Sequence, residues 1–332
     1  MSKTYPTLLD MAIRNGRDRA VPLIEETSKA IPEISGINWD GSKIPGVGAT
    51  RTISGLHYET LVRVQNPTVG FRNANQPAKV SASVYENRLT STYILNPRWQ
   101  ADKAVADSSE DGPDAYMSDE AIAIMEASMQ WLGAQFFYGR GSAAGGTGAG
   151  NDPKGFPGLI DAVDSAFSYN ATPGTAGGGS SGVCSSVWFV KYGVGDVQWV
   201  YGLNGGLMIP DKRNETIYIP DPDTGVLGPV DGYVQSLLAR PGVQVGSKRS
   251  LFRVPFVTGE AGHTLTDNHL AQAESRMLKR PDVCFMHPIL LEQLRESRTS
   301  FNPLGTPAPT PTMTISGIPI APTRSLALNE NV

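Results

Sequence analysis

The stretch from Ser118 to Gly139, SDEAIAIMEASMQWLGAQFFYG, constrains the fold more than any other part of the chain. Ile122, Met125, Met129, Leu132 and Phe136 recur at steps of three and four, the period of one helix face. Ser118 can cap the first free amides, and Asp119 and Glu120 sit where the helix dipole favours negative charge. Gly139 can take the left-handed conformation that ends a helix. The spacing predicts a helix of about six turns, with one apolar stripe and one polar face. The chain before it reads as arm and hairpin, and the chain after it reads as a strand-rich body. The helix is the spine between them.

At 332 residues the chain exceeds the ~250–300 at which single cores stop growing, so two subdomains are expected. Gly (36) and Pro (25) together exceed average usage, which predicts many turns and long loops. The net charge of −4 argues against a protein that grips nucleic acid in a sequence-specific way, since such proteins carry a basic face. Cys184 and Cys284 form no CxxC pair and read as free thiols in a reducing compartment. The opening MSKTYPTLLD lacks the layout of a signal peptide, and no run approaches the ~20 apolar residues of a membrane span. The expectation is a soluble, cytoplasmic chain with no membrane partner.

Residues 1–49 read as an arm. Leu8, Leu9, Ala12 and Ile13 give a weak amphipathic turn that breaks near Asn15-Gly16. A second short helix is expected from about Val21 to Ala30, opened by Pro22. Pro32, Gly36, Trp39-Asp40-Gly41 and Pro45-Gly46 then keep the chain irregular. Segments this short bury no core of their own and need a surface to lie on. Residues 50–96 read as a long two-stranded element. Tyr58, Thr60, Val62 and Val64 alternate onto one side, and Ala82 to Leu89 alternates again and leads into Thr92 to Leu95. Between them lies the polar QNPTVGFRNANQPAK. A hairpin of this kind is only marginally stable alone. It docks either on a neighbouring subunit or back on its own body, and the pattern does not separate the two.

Residues 97–117 read as a polar connection with acidic residues at Asp107, Glu110, Asp111 and Asp114. A solvated face is the ordinary reading of such a run, a metal site the rarer one. The Gly-rich tracts 141–150 and 174–182 flank PKGFPGLIDAV. Lys154 is followed by Gly155, so the phosphate-loop pattern is absent, and Gly146-Thr-Gly148 follows a helix and not a strand, the wrong context for a dinucleotide fingerprint. Beyond them, Val187 to Tyr192 and Val197 to Tyr201 read as adjacent strands joined by Gly193 to Asp196. Thr216 to Ile219 and Leu251 to Val257 add more strand. The turn Pro220 to Gly225 has part of a calcium loop but lacks the closing Glu. A helix over 264–280 is capped at Thr266 or Asp267, Val283 to Met286 is a buried strand, and Pro288 opens another helix. A closing strand near Met313 to Ile320 returns to the spine helix.

The four histidines, His57, His263, His269 and His287, stand in no HExxH or paired Cys/His spacing, and no GxSxG occurs. Cys284 and His287 supply only two ligands, short of a closed zinc site. No catalytic residue, cofactor or metal is therefore expected, and the chain reads as an assembly protein and not an enzyme.

The order of parts carries a resemblance. The arm TLLDMAIRN…AVPLIEETSKAIPEI, the long hairpin, the helix ending in Phe136-Phe-Tyr-Gly139 and the entry Lys154-Gly-Phe-Pro-Gly-Leu159 resemble the major capsid proteins of tailed bacteriophages. Ser185 to Tyr192 and Ile315-Ser-Gly-Ile-Pro-Ile320 also look like that family, in its short-tailed-phage branch. The resemblance implies an α+β fold of the Hong Kong 97 type. Its parts would be an N-terminal arm (1–49), an extended hairpin loop (50–96), a peripheral domain with the spine helix (97–154 and 291–332) and an axial domain with a mixed sheet (155–290). It also implies a shell of hexamers and pentamers, an icosahedral head around double-stranded DNA that is bound without sequence preference. The further partners it implies are a portal protein, a decoration protein and a separate scaffolding protein, the last because the chain starts directly with the arm. Location would be the virion, after assembly in the host cytoplasm. By the same resemblance the hairpin residues Tyr58, Arg63, Phe71, Arg72, Lys79, Tyr85 and Arg88, and the arm residues Ile24 and Trp39, are expected to touch neighbouring subunits. The Lys–Asn cross-link motif of some relatives is not matched at Lys79. Two other readings remain: an encapsulin-like cellular nanocompartment shell, marked by a cargo enzyme, and a two-domain hydrolase using acidic residues such as Asp221.

Overall fold

A computed structural model describes residues 5–16, 23, 26–47, 50–140, 152–163, 185–203, 206–221, 224–257, 265–300, 314–328 and 330. Both Gly-rich tracts, Ile24, Cys184, Asp223 and His263 lie outside the described residues. Thr7 opens the first helix, α1 (Leu8–Asn15). Its backbone amide donates to the Asp10 carboxylate at 2.9 Å while the Asp10 amide donates back to its hydroxyl at 3.4 Å. The helix expected up to Ala30 is absent where the chain is described, because residues 26–30 are bends and irregular backbone. Thr27 and Ser28 are weak helix formers, and the Thr27 carbonyl accepts from the Gln130 amide at 2.9 Å instead of from its own turn. The turn that forms is α2 (Pro32–Ser35), with proline at its start and Gly36 left-handed at its end (φ 66°).

β1 (Thr50–Ile53) is not part of the hairpin. It runs parallel to β6 (Val197–Gly202), which pairs antiparallel with β9 (Pro241–Val245). The hairpin proper is β2 (His57–Gln65) against β3 (Val84–Ser91), in register from His57↔Ser91 to Gln65↔Val84. Residues 92–95 do not prolong β3, since Tyr93 and Leu95 donate to the carbonyls of Pro241 and Ala239. Both flanks of the expected 50–96 hairpin are thus drawn into backbone pairing with the body, where their amides find partners.

The connection 97–117 is more ordered than its polarity suggests. It holds β4 (Arg98–Asp102), α3 (Lys103–Asp107) and the opening of the spine helix α4 (Gly112–Tyr138). α4 starts at Gly112-Pro113, and Ser118 lies inside it and not at its cap. Its burial also departs from one stripe. Ile122 is 52% exposed, whereas Tyr116, Met117, Ala121, Ser128 and every residue from Leu132 to Tyr138 are buried. The last two turns enter the body and are covered all round, so no polar face survives there. Phe136 stacks on Trp199 (centroids 5.1 Å) and Phe137 meets Phe285 edge-on (5.6 Å).

Gly139 ends α4 with φ 55°, and a Cβ there would lie 1.9 Å from the Gly158 amide nitrogen, just ahead of α5 (Leu159–Ala162). Gly139→Ala is expected to lose about 2–6 kcal/mol through overpacking plus backbone strain. Gly112→Ala, at φ 86° with open space around it, loses only the strain, about 1–3 kcal/mol. Urea unfolding of the two purified variants makes the comparison, and equal midpoints would contradict it.

Five strands form the largest sheet, in the order β10 (Leu251–Val257), β5 (Ser185–Val190), β11 (Val283–Met286), β13 (Ile318–Pro322), β12 (Thr314–Ile315). β5 is buried at every residue, with β10 and β11 on its two edges. This corrects the reading of 187–192 and 197–201 as adjacent strands. β5 and β6 lie in different sheets and meet only at the Tyr192↔Val197 bridge, because both edges of β5 are already taken. Trp188, Val190, Leu251, Val283 and Phe285 face the end of α4. Val187, Phe189, Phe252, Cys284, Met286 and Ile320 face the opposite way, onto α6 (Asp267–Arg276) and α7 (Pro288–Ser300). Burial on both faces explains the unbroken apolar runs of these strands. The closing strand lies on both sides of the division drawn from the sequence. Ala321 packs with Phe136 and Phe137, yet the backbone of β13 pairs with β11.

A fourth sheet, β4–β8 (Leu227–Ser236)–β7 (Arg213–Pro220), lies against the first half of α4. Met11, Trp99, Tyr116, Met117 and Tyr233 form that smaller core. No helix among the described residues is long and apolar enough to cross a membrane.

Candidate assembly interfaces

The two faces of the β2–β3 hairpin differ. On the inner face Tyr58, Thr60 and Val62 are half-buried beside Arg88 and Thr90. The Tyr58 hydroxyl donates to Gln244 Oε1, and the Arg51 guanidinium sits 4.6 Å over the Tyr58 ring. Burial pushes the Tyr58 hydroxyl pKa up. Arg88 donates to the Gly246 carbonyl at 2.9 Å. These contacts fasten the hairpin base to β9 and the turn after it. Tyr58 and Arg88 therefore have partners within the chain as well as part-exposed surface.

The outer face is open. Leu61 is 70% exposed and Leu89 62%. The Arg63 guanidinium lies 5.6 Å from the Tyr85 ring centroid, and Ser83, then Arg63, hold the Tyr85 hydroxyl below its usual range. At the tip Phe71 is wholly exposed, with Val69 and Val80 nearly so. Arg72 donates to the Gln76 carbonyl at 3.0 Å and Gln76 accepts from the Asn73 amide, with Asn75 at φ 66° between them. The Lys79 stem lies against Gly70. Each large apolar side chain left in water forgoes about 1.5–3 kcal/mol of burial. A row of them on one element is the kind of exposed apolar surface that interaction sites share.

The arm is strapped to the body by Asn38, which donates to the Ile320 carbonyl at 2.9 Å, and by Trp199, which donates to the Glu33 carbonyl at 3.0 Å. Trp39 beside them is half-exposed. α1 turns Leu8, Leu9 and Ile13 outward while Arg14 pairs with Asp119 and stacks on Tyr116. A cavity of about 780 Å³ lies beside these contacts, lined by Met11, Trp99, Tyr116 and Glu120 among others. The outward face of α1 was absent from the expected contacts, although the Thr7–Asp10 cap ahead of an apolar pattern could have marked it.

Several of the residues considered for chemistry have structural partners. Among the described residues no three His, Cys, Asp or Glu side chains are grouped to hold a metal. Asp107 accepts from the Tyr233 hydroxyl at 3.1 Å and Asp114 pairs with Lys212. The His269 ring is engaged at the Thr266 cap, and His287 accepts from the Ile289 amide at 3.2 Å. Burial, then Arg324, push the His287 pKa down to about 4. The Cys284 thiol is buried, and burial pushes its pKa far up.

This architecture is similar to a solved structure of Bacteriophage Epsilon15, at a TM-score of 0.67 and 18% identity, covering 100% of this chain and 98% of that one. Solved structures from Mycobacterium phages Bobi and Adephagia are more distant. Bobi gives a TM-score of 0.43 at 12% identity over 75% of this chain and 97% of that one. Adephagia gives 0.45 at 11% over the same shares. No curated protein matches the chain. The fold is the Hong Kong 97-type capsid fold, an α+β arrangement of arm, extended hairpin, spine helix and mixed sheet. The family model for Major capsid protein GP7 matches residues 50–331, and the chain belongs to that family. It is a structural protein of the tailed-phage capsid, associates with itself in the shell and resides in the virion.

Proposed function

We propose that the chain assembles through hexamers and pentamers into an icosahedral head that encloses double-stranded DNA. The observation that carries this is the hairpin, bonded to its own body at the base and open along its outer face and tip. Arg63, Phe71, Arg72, Lys79, Tyr85 and the outward leucines then contact the next subunit, as do Tyr58 and Arg88 through the surface they leave exposed at the hairpin base. Trp39 and Ile24 of the arm, with Leu8, Leu9 and Ile13, make further contacts. Head-to-tail contacts of this kind close into rings. A net charge of −4 suits a wall that must not adhere to packaged phosphate.

The arm (1–49), hairpin (50–96), peripheral (97–154, 291–332) and axial (155–290) parts are the working division, with two shifts that strand pairing favours. β7 and β8 go with the spine helix, through β4, and β12 and β13 go with the axial sheet. A scaffolding protein, a portal and a decoration protein are the further partners, and assembly takes place in the host cytoplasm. Negative-stain electron microscopy of the purified chain, with and without co-expressed assembly factors, tests the reading. Closed shells, sheets or tubes of hexamers support it. A monodisperse monomer or dimer under every condition overturns it.

A further inference from the structure

Glu33 is the most deeply placed acid among the described residues of the arm. It lies on α2, with none of its surface exposed; the Ser325 and Thr323 hydroxyls stand near it, yet neither carboxylate oxygen completes a hydrogen bond of good geometry among the described residues. It meets the spine helix at Gly133, where a Cβ would stand 2.4 Å from Glu33 Oε1 and 2.6 Å from the Ser325 hydroxyl. Glycine inside a helix costs about 1 kcal/mol against alanine, so this gap has a price and admits the carboxyl. Among the described residues the charges around it offer no counter-ion. From the end of β5 comes Tyr192, whose buried hydroxyl also lacks a partner. Asp282, behind Tyr192, is already paired with Lys191 at 2.6 Å. From the C-terminal segment come Ser325 and Thr323, while Arg324 acts on His287. The α4 turn from Gln130 to Phe136 carries no ionisable side chain, and β6 contributes Trp199.

A bare carboxylate buried without a cation is far costlier than a neutral acid. We propose that Glu33 makes the seating of residues 31–44 on the spine helix a proton-linked latch, closed when the carboxyl carries a proton and loosened when it is ionised. Burial, offset in part by Ser325, by the backbone of Glu33 itself and by Thr323, raises the Glu33 pKa from 4.5 to about 7. The seated segment therefore holds a proton that a released segment gives up. Below about 4.5 both forms are protonated and seating is at full strength. From there to about 7 seating weakens tenfold per pH unit, about 300-fold in all, and above 7 it levels off.

Hydrogen exchange on the purified full chain reads this directly. The amides of Ser35, Gly36 and Ile44 are bonded to Ile31, Pro32 and Gly36, inside the seated segment. After division by the intrinsic exchange rate, their opening constant should rise roughly tenfold per pH unit between about pH 5 and 7 and then flatten. Glu33→Gln should remove the slope and stay protected throughout. Tyr192→Phe, which loses only an unpartnered hydroxyl, should keep the slope. A flat wild-type profile, a slope that survives Glu33→Gln, or one that vanishes in Tyr192→Phe would each overturn the latch. Should Glu33→Gln fail to fold, infrared spectroscopy of the wild type decides. A protonated carboxyl band persisting at about pH 6 supports the latch, and its absence there overturns it.

Discussion

Deleting Asn66 to Lys79 leaves the subunit folded and abolishes shell formation. The reason lies in where the deleted residues make their bonds. Arg72, Asn73 and Gln76 bond within the tip, and Ser81 reaches only Thr68. The hairpin base is held by Tyr58 and Arg88, which the deletion spares. Residues 80–83 remain to join the two strands, within the two to five residues that ordinary hairpin loops use. Circular dichroism and the urea midpoint should stay close to wild type, while electron microscopy shows free subunits or small rings. The deletion removes Val69 and Phe71, which nothing in the subunit covers. Shells of normal form from this variant would remove the hairpin tip from the assembly contacts.

Glu330→Ala should unfold the subunit at markedly lower urea, with a loss of about 3–5 kcal/mol, the cost of leaving half of a buried ion pair behind. Glu330 is 1% exposed and ties three elements together. It accepts from the Tyr138 hydroxyl at 2.6 Å at the end of α4, from Ser186 on β5, and from Arg253 on β10 at 2.9 Å. Arg253 also donates to Ser186 at 2.9 Å and lies 5.5 Å from the Trp188 ring. Burial, and then Glu330, raise the Tyr138 hydroxyl pKa well above its ordinary value, so it remains a donor at any working pH. Whole domains are stable by only about 5–15 kcal/mol, so this loss is a large share. The double variant Glu330→Ala/Arg253→Met should recover part of it, because no unpaired charge then stays buried. No loss in the single variant would mean that the C-terminal segment does not hold the helix.

Local signals were readable where a segment's neighbours decide its structure. The Thr266 cap, Pro288 at a helix start and the positive φ of Gly139 all depend on residues a few places away. Misreadings arose where distant chain decides. Ser118 looked like a cap because its acidic followers suit a first turn, but Pro113 starts the helix earlier. Ile122 looked like core because the stripe ignores which turns meet the body. The partners of Tyr58 and Arg88 within the chain, Gln244 and the Gly246 carbonyl, gave no local signal because they stand 186 and 158 positions away. Glu33 and Glu330 gave no signal at all, since a buried acid in sequence looks like any surface acid.

The Tyr138–Glu330 bond also sets a clock. The two residues are 192 positions apart, so the end of the spine helix is made long before its fastener. At ~5–20 residues per second of synthesis, the wait is roughly 10–40 s. During that interval a nascent chain first lacks Gln244 and Gly246, which hold the hairpin base, and then still lacks Glu330. A chain still on the ribosome therefore lacks the tie between the spine helix, β5 and β10 that a finished chain has.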